Sequence, residues 1–191
     1  RRKMLLSSGL ALLGLRPGSA IDNADPVMST KEIPFRISLN TSTISGYNLS
    51  VEQQIEYCAK AGFGGIELWT RDICAFLKKG GSYQQLVRKL QSGHLILENI
   101  IGFSPWIIGG KGMDEMLKEI DMAAALGSRC IAATALGLEK IDRDDFEKYT
   151  DNYRRILEYG ESVGVRPLLE VWGTGALNKL SDAARIALGT G

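Results

Sequence analysis

Histidine is almost missing from this chain: among 191 residues there is one, His94. A site built from several imidazoles, such as a multi-zinc centre, is thereby excluded. Cysteine is scarce as well. Cys58, Cys74 and Cys130 are odd in number and show no Cys-x-x-Cys spacing, which argues against a disulfide framework or a structural zinc site. Neither sign of charge is in excess, since 23 Lys and Arg stand against 22 Asp and Glu for a net charge of +1. A nucleic-acid partner normally requires a strongly basic face, so no such partner is expected. No apolar run reaches the roughly 20 residues of a stable membrane span. What is present, 45% hydrophobic and 24% charged residues, is the composition of a globular protein.

The first residues read as a leader. Arg1, Arg2 and Lys3 precede apolar and small residues from Met4 to Leu15, and Arg16-Pro17-Gly18-Ser19-Ala20 follows with small residues at Gly18 and Ala20. That order is a basic region, an apolar region and a cleavage site. The Arg1-Arg2-Lys3 start also resembles a twin-arginine export signal, with a general secretory or lipoprotein leader as the alternative. Residues 1–20 are therefore expected to be an export signal and residues 21–34 a linker, for a protein exported to a bacterial periplasm. No methionine precedes Arg1, so the natural start is expected upstream. Removing residues 1–20 takes away four basic residues and no acidic one, which leaves 19 against 22 and a net charge of −3.

From Phe35 the chain alternates short apolar runs with segments of helical period. The expected strands are Phe35–Asn40, Gly65–Trp69, Leu95–Ile101, Arg129–Thr134 and Arg166–Trp172. Between them, Ser50-Val51-Glu52-Gln53 and Ser82-Tyr83-Gln84-Gln85 are capping boxes that open helices. Met113, Met116, Leu117, Ile120, Ala123 and Ala124 mark a third helix, a fourth starts near Asp142, and a last runs from Leu177 to Gly189. Gly62, Gly93, Gly127 and Gly164 close the first four at intervals of 31, 34 and 37 residues, the size of successive strand–helix–strand units. Strict alternation implies a parallel sheet covered by helices. A doubly wound sheet that binds a dinucleotide would carry Gly-x-Gly-x-x-Gly after its first strand, and residues 41–49 do not. Polar residues instead gather at the carboxyl ends of the strands, at Asn40, Thr41, Glu67, Ser104, Thr134 and Glu170. An α/β barrel places its active site at that end.

Two strands end on the same pattern, Glu67-Leu68-Trp69 and Glu170-Val171-Trp172. Alternation sets each glutamate and its tryptophan on one face, with Leu68 and Val171 turned toward the helices. A carboxylate inside an apolar strand is costly to bury without a cation, a metal or a donor. Either the two acids define a site, or each pairs with a neighbour such as Arg36 or Arg129 and stabilises the fold.

Four stretches carry a resemblance to the xylose-isomerase-like sugar phosphate isomerase/epimerase family: residues 38–44, residues 61–69 (Ala-Gly-Phe-Gly-Gly-Ile-Glu-Leu-Trp), residues 101–106 (Ile-Gly-Phe-Ser-Pro-Trp) and residues 169–173 (Leu-Glu-Val-Trp-Gly). Similarity runs over residues 35–189 in order. The resemblance implies a TIM (β/α)8 barrel, of which residues 35–191 hold the first five units. At about 31 residues per unit, eight units need about 250 residues. It also implies a divalent metal, manganese, magnesium or cobalt, held by carboxylates and a histidine, and a glutamate that removes the proton next to a carbonyl to give an enediolate. Glu170 matches the family's first metal-binding glutamate and can double as acid or base. The remaining ligands are expected from strands six to eight, so these residues are expected to be inactive alone and to bind metal poorly.

Glu67 is the second catalytic candidate. Asn40, Thr41, Trp69, Trp106 and Trp172 are the substrate-binding candidates, through hydroxyl recognition or as aromatic walls around a sugar ring. His94 follows Gly93 and precedes a strand, which puts it at the opposite, stability face. Gly109-Gly110-Lys111-Gly112 lacks the spacing of a phosphate loop. The expected ligand is a small sugar or keto-sugar, and a homo-oligomer stays open. An isomerase or epimerase is the first reading. A dehydratase of inosose or dehydroshikimate type and a non-catalytic sugar-binding barrel are the alternatives.

Overall fold

The computed structural model describes residues 35–191; the expected leader and linker lie outside them. Five strands, β1 (Ser38–Asn40), β2 (Gly65–Trp69), β3 (Ile96–Gly102), β4 (Cys130–Thr134) and β5 (Arg166–Glu170), pair in sequence order, and every pair is parallel. Sequential parallel order without a switch point is the arrangement of a barrel wall rather than of a doubly wound sheet. Six helices connect or follow the strands: α1 (Val51–Lys60), α2 (Thr70–Lys78), α3 (Tyr83–Ser92), α4 (Lys111–Leu126), α5 (Phe146–Val163) and α6 (Leu180–Leu188). Among the described residues no helix is long and apolar enough to cross a membrane.

Local chemistry explains most of the helix ends. Ser50 and Ser82 accept the N–H groups of Gln53 and Gln85 at 3.3 and 3.4 Å, and the glutamine side chains accept back from the serine N–H groups at 3.0 and 2.8 Å. Both capping boxes form as expected. At the end of α3 the left-handed position falls not on Gly93, whose φ is −83°, but on His94, at 53°. The single histidine thus turns the chain into β3 at the amino-terminal side of the sheet, away from the strand ends that carry Glu67 and Glu170.

Strand β1 starts at Ser38 rather than Phe35 and the last helix at Leu180 rather than Leu177, and three further elements differ from the sequence expectation. Helix α2 was not anticipated, because its N-cap is Trp69 and no side chain caps it; burial of Ile73 against the sheet, not a start signal, holds it. Helix α5 begins at Phe146 rather than near Asp142, since Asp142 takes the Asp144 N–H at 3.1 Å in a local turn. Strand β5 ends at Glu170, and Trp172 donates its N–H to Leu177 O at 3.1 Å in the turn beyond.

The helices cover one face of the sheet. Ile66 and Leu68 of β2, Ile100 of β3 and Ile131 and Ala133 of β4 are fully buried against Ile55 and Cys58 of α1, Leu86 of α3, Met116, Ile120 and Ala123 of α4 and Ile156 of α5. Cys58 packs there as a small apolar side chain, its thiol 3.4 Å from Gly65 O, and burial pushes its pKa up to about 11. On the other face Ile96 and Leu168 stay nearly half exposed, as befits an arc of barrel wall.

On β5 the backbone groups that face away from β4 are capped by a side chain of α5. Arg166 donates its N–H to the O atom of Arg129, the residue before β4, at 2.8 Å, so the alternate residues Pro167 and Leu169 turn their backbone groups away from β4. Pro167 brings no N–H, and the buried Tyr153 hydroxyl of α5 donates to Pro167 O at 3.2 Å and accepts from Leu169 N–H at 3.3 Å. Replacing Tyr153→Phe keeps the ring and removes the cap. Leu169 should then exchange its amide hydrogen roughly 10-fold faster by NMR, and unchanged protection would show that the hydroxyl does not hold this amide.

Candidate active site at the carboxyl ends of the strands

The site begins with a register change. Ile66 pairs with Leu97, yet the next residue, Glu67, pairs with Asn99, so Glu98 is an extra residue in β3. Because side chains alternate, this bulge moves Asn99 from the helix face to the open face, beside Glu67. Asn40 pairs with Glu67 from the other side. The amides of Asn40 and Asn99 each donate through Nδ2 to one carboxylate oxygen, Oε2 and Oε1 respectively. The costly carboxylate is therefore satisfied by two neutral amides on neighbouring strands, not by Arg36 or Arg129. Arg36 instead pairs with Glu98 at 2.6 Å.

Of the expected binding residues, Thr41 and Trp106 prove to be buried, and Asn40, half-buried, has its side chain engaged within the protein. Thr41 is 2% exposed and donates its hydroxyl to Glu67 O at 3.0 Å, so it cannot reach a ligand. Asn40 uses its amide on Glu67 and its carbonyl on the Ser42 N–H at 2.9 Å. Trp106 is fully buried in a short 3-10 helix, Trp106–Ile108, and packs on Tyr153 at 5.6 Å between ring centroids. As a core residue it does not wall a ligand.

The other two tryptophans do meet at the mouth. Trp69 lies 4.9 Å from Phe103 between ring centroids, at 52°, and Phe103 lies 6.1 Å from Trp172, edge-on at 66°. Arg71 stacks its guanidinium over Trp69 at 4.1 Å. Phe103 joins the two tryptophans although no role was foreseen for it; its place as the first residue after β3, where Trp69 is the last of β2, was the available signal. Asn99 was missed because only the bulge turns it inward.

Glu170 pairs in register with Thr134, whose hydroxyl is bound to Gly102 O at 2.8 Å. Unlike Glu67, Glu170 has one carboxylate oxygen, Oε2, that is buried without a hydrogen-bond partner. Such an atom calls for a proton, a cation or a donor from a ligand. It fits one ligand position of a divalent metal site. The described residues contain no group of three or more His, Cys, Asp or Glu able to hold a metal, so they do not by themselves make such a site, and no step is derived through a metal.

Parallel strands in sequence order, helices on one face and carboxylates with aromatics at the carboxyl ends define a TIM-barrel protein. The chain belongs to the family described as xylose isomerase-like TIM barrel, whose model matches residues 55–191. Among solved structures, the IolI protein with a zinc atom is similar at 22% identity and a TM-score of 0.69, covering 82% of this chain and 59% of that one. A probable 3-DHS dehydratase, AsbF, from Bacillus anthracis has 16% identity and a TM-score of 0.68 over 82% of this chain and 59% of its own. A D-psicose 3-epimerase determined with D-fructose has 16% identity and a TM-score of 0.63, with coverages of 82% and 60%. The chain thus spans about three fifths of the length of these proteins. A search of curated protein sequences finds no match.

Glu67→Gln tests the amide clamp. An amide offers one acceptor oxygen, so one of the two asparagine donors must face an N–H group. Chemical denaturation should show a loss of about 2 kcal/mol, and a loss below about 0.5 kcal/mol would mean that the clamp contributes little.

Proposed function

We propose that the protein is a sugar isomerase or epimerase that abstracts a proton next to a carbonyl, with Glu170 as the acid or base. The observation that carries this reading is the contrast between the two mouth carboxylates. Both oxygens of Glu67 are held by amides, whereas Glu170 keeps a buried oxygen without a partner. A proton acceptor must have a free lone pair within reach of the reacting carbon. Glu67, the other catalytic candidate, is assigned here to fixing strand ends, and Trp69, Phe103 and Trp172 to the apolar wall against which a sugar ring stacks.

Similarity to epimerase and dehydratase structures supports proton abstraction as the shared first step. Reprotonation on the carbon gives an isomer or epimer, and loss of a neighbouring hydroxyl gives a dehydrated product, so the dehydratase reading differs only in the fate of the enediolate. A divalent metal, manganese, magnesium or cobalt, enters the proposal through Glu170 as one ligand. The similar structure with zinc supports a metal but not the choice among them. Export to the periplasm belongs to the proposal through residues 1–20 alone.

The test incubates the protein, carried on a chain that supplies all eight barrel units, with D-fructose and manganese in deuterium oxide and follows the sugar by NMR. Deuterium should enter at a carbon next to the carbonyl, and Glu170→Gln should slow it by at least about 100-fold. A dehydrated product would favour the second enzyme reading. Exchange unaffected by Glu170→Gln would remove Glu170 from the chemistry.

A further inference from the structure

A third carboxylate lies beneath the mouth, and the reaction proposed above gives it no part. Glu119 sits on α4 at the flank of the buried stripe Met113, Met116, Ile120 and Ala123. Its Oε1 accepts the Thr70 hydroxyl at 2.9 Å and the Phe103 N–H at 3.2 Å, and its Oε2 accepts the Ser104 N–H at 3.2 Å. Every donor adjoins an aromatic of the mouth. Thr70 follows Trp69, and Phe103 is itself the ring that touches both Trp69 and Trp172.

The carboxylate is pressed against the strand end. A Cβ at Gly102 would come within 2.8 Å of Glu119 Oε2 and 3.1 Å of Ala132 O, so the bare backbone of glycine is what lets Glu119 reach the two N–H groups beyond it. Hydrogen bonds to an ionised acceptor are stronger than neutral ones, and here three of them converge from two separate strand ends on one helix side chain. The helix has an anchor of its own, because Met113, Met116, Ile120 and Ala123 are essentially fully buried in the core.

We propose that Glu119 is the positioning residue of the mouth. It ties the first turn after β2 and the first turn after β3 to α4, and thereby sets the Trp69–Phe103 pair and, through Phe103, the edge contact with Trp172. The consequence for ligand binding rests on the reading of the mouth as a sugar site; the positioning itself does not.

Near-ultraviolet circular dichroism reads the aromatic pair directly, with Trp69→Phe to identify the band that belongs to it. Glu119→Gln keeps the volume and one acceptor oxygen, and Glu119→Ala removes both. Both variants should keep the far-ultraviolet spectrum of the folded chain while Glu119→Ala loses roughly half or more of the Trp69 band, with Glu119→Gln in between. A Trp69 band of wild-type size in a folded Glu119→Ala would overturn the proposal. Should that variant fail to fold, an undiminished band in Glu119→Gln would do so. Titration of tryptophan fluorescence with D-fructose separates the two claims. Wild type that does not respond to the sugar speaks against the sugar site and leaves the dichroism to decide the role of Glu119.

Discussion

A carboxylate placed within a sheet must be solvated by something, and the way Glu67 is solvated organises the mouth of this protein. The side chain is partly buried, and among the described residues no Lys or Arg forms an ion pair with it. Two asparagine amides from the flanking strands serve instead, which joins β1, β2 and β3 at their carboxyl ends. For Asn99 to take part, β3 must carry one extra residue, and the bulge at Glu98 supplies it. Thr41 adds a further link from the end of β1 to the backbone of β2. The strand ends become a fixed rim on which an aromatic wall and a second, chemically freer carboxylate can be mounted.

Division of labour among acidic side chains is the result. Glu67 fastens strands, Glu119 fastens the two turns that carry Trp69 and Phe103, and Glu170 is left with a buried oxygen that nothing in the described residues satisfies. The three look equivalent in composition and differ only in their donors. A buried acceptor without a donor calls for a proton, a cation or a ligand to complete it, and at Glu170 the atom in question is a carboxylate oxygen.

The strands, the two serine-capped helices and the glutamates at strand ends could be read directly from the chain, because period, capping and burial cost all pointed the same way. Helix α2 could not, since Trp69 is no cap and its anchoring comes from tertiary burial of Ile73. Trp106 was misassigned for a related reason. A tryptophan just past a strand looks like a rim residue in one dimension, but a short 3-10 turn folds it under α5 onto Tyr153. Asn99 and Glu119 were invisible because their roles depend on a register shift and on a contact between residues 16 positions apart, neither of which leaves a periodic trace. The family resemblance carried the fold further than the patterns did alone, and the match to residues 55–191 agrees with it.

The unequal state of the two mouth carboxylates is the centre of this account, and it can be measured without a substrate. Carbodiimide coupling of the folded protein to an amine, followed by peptide mass spectrometry, reports which carboxylates are free to react. Glu170 should be modified while Glu67, held through both oxygens, is protected until the chain is unfolded. Modification of Glu67 as fast as or faster than Glu170 would contradict the account.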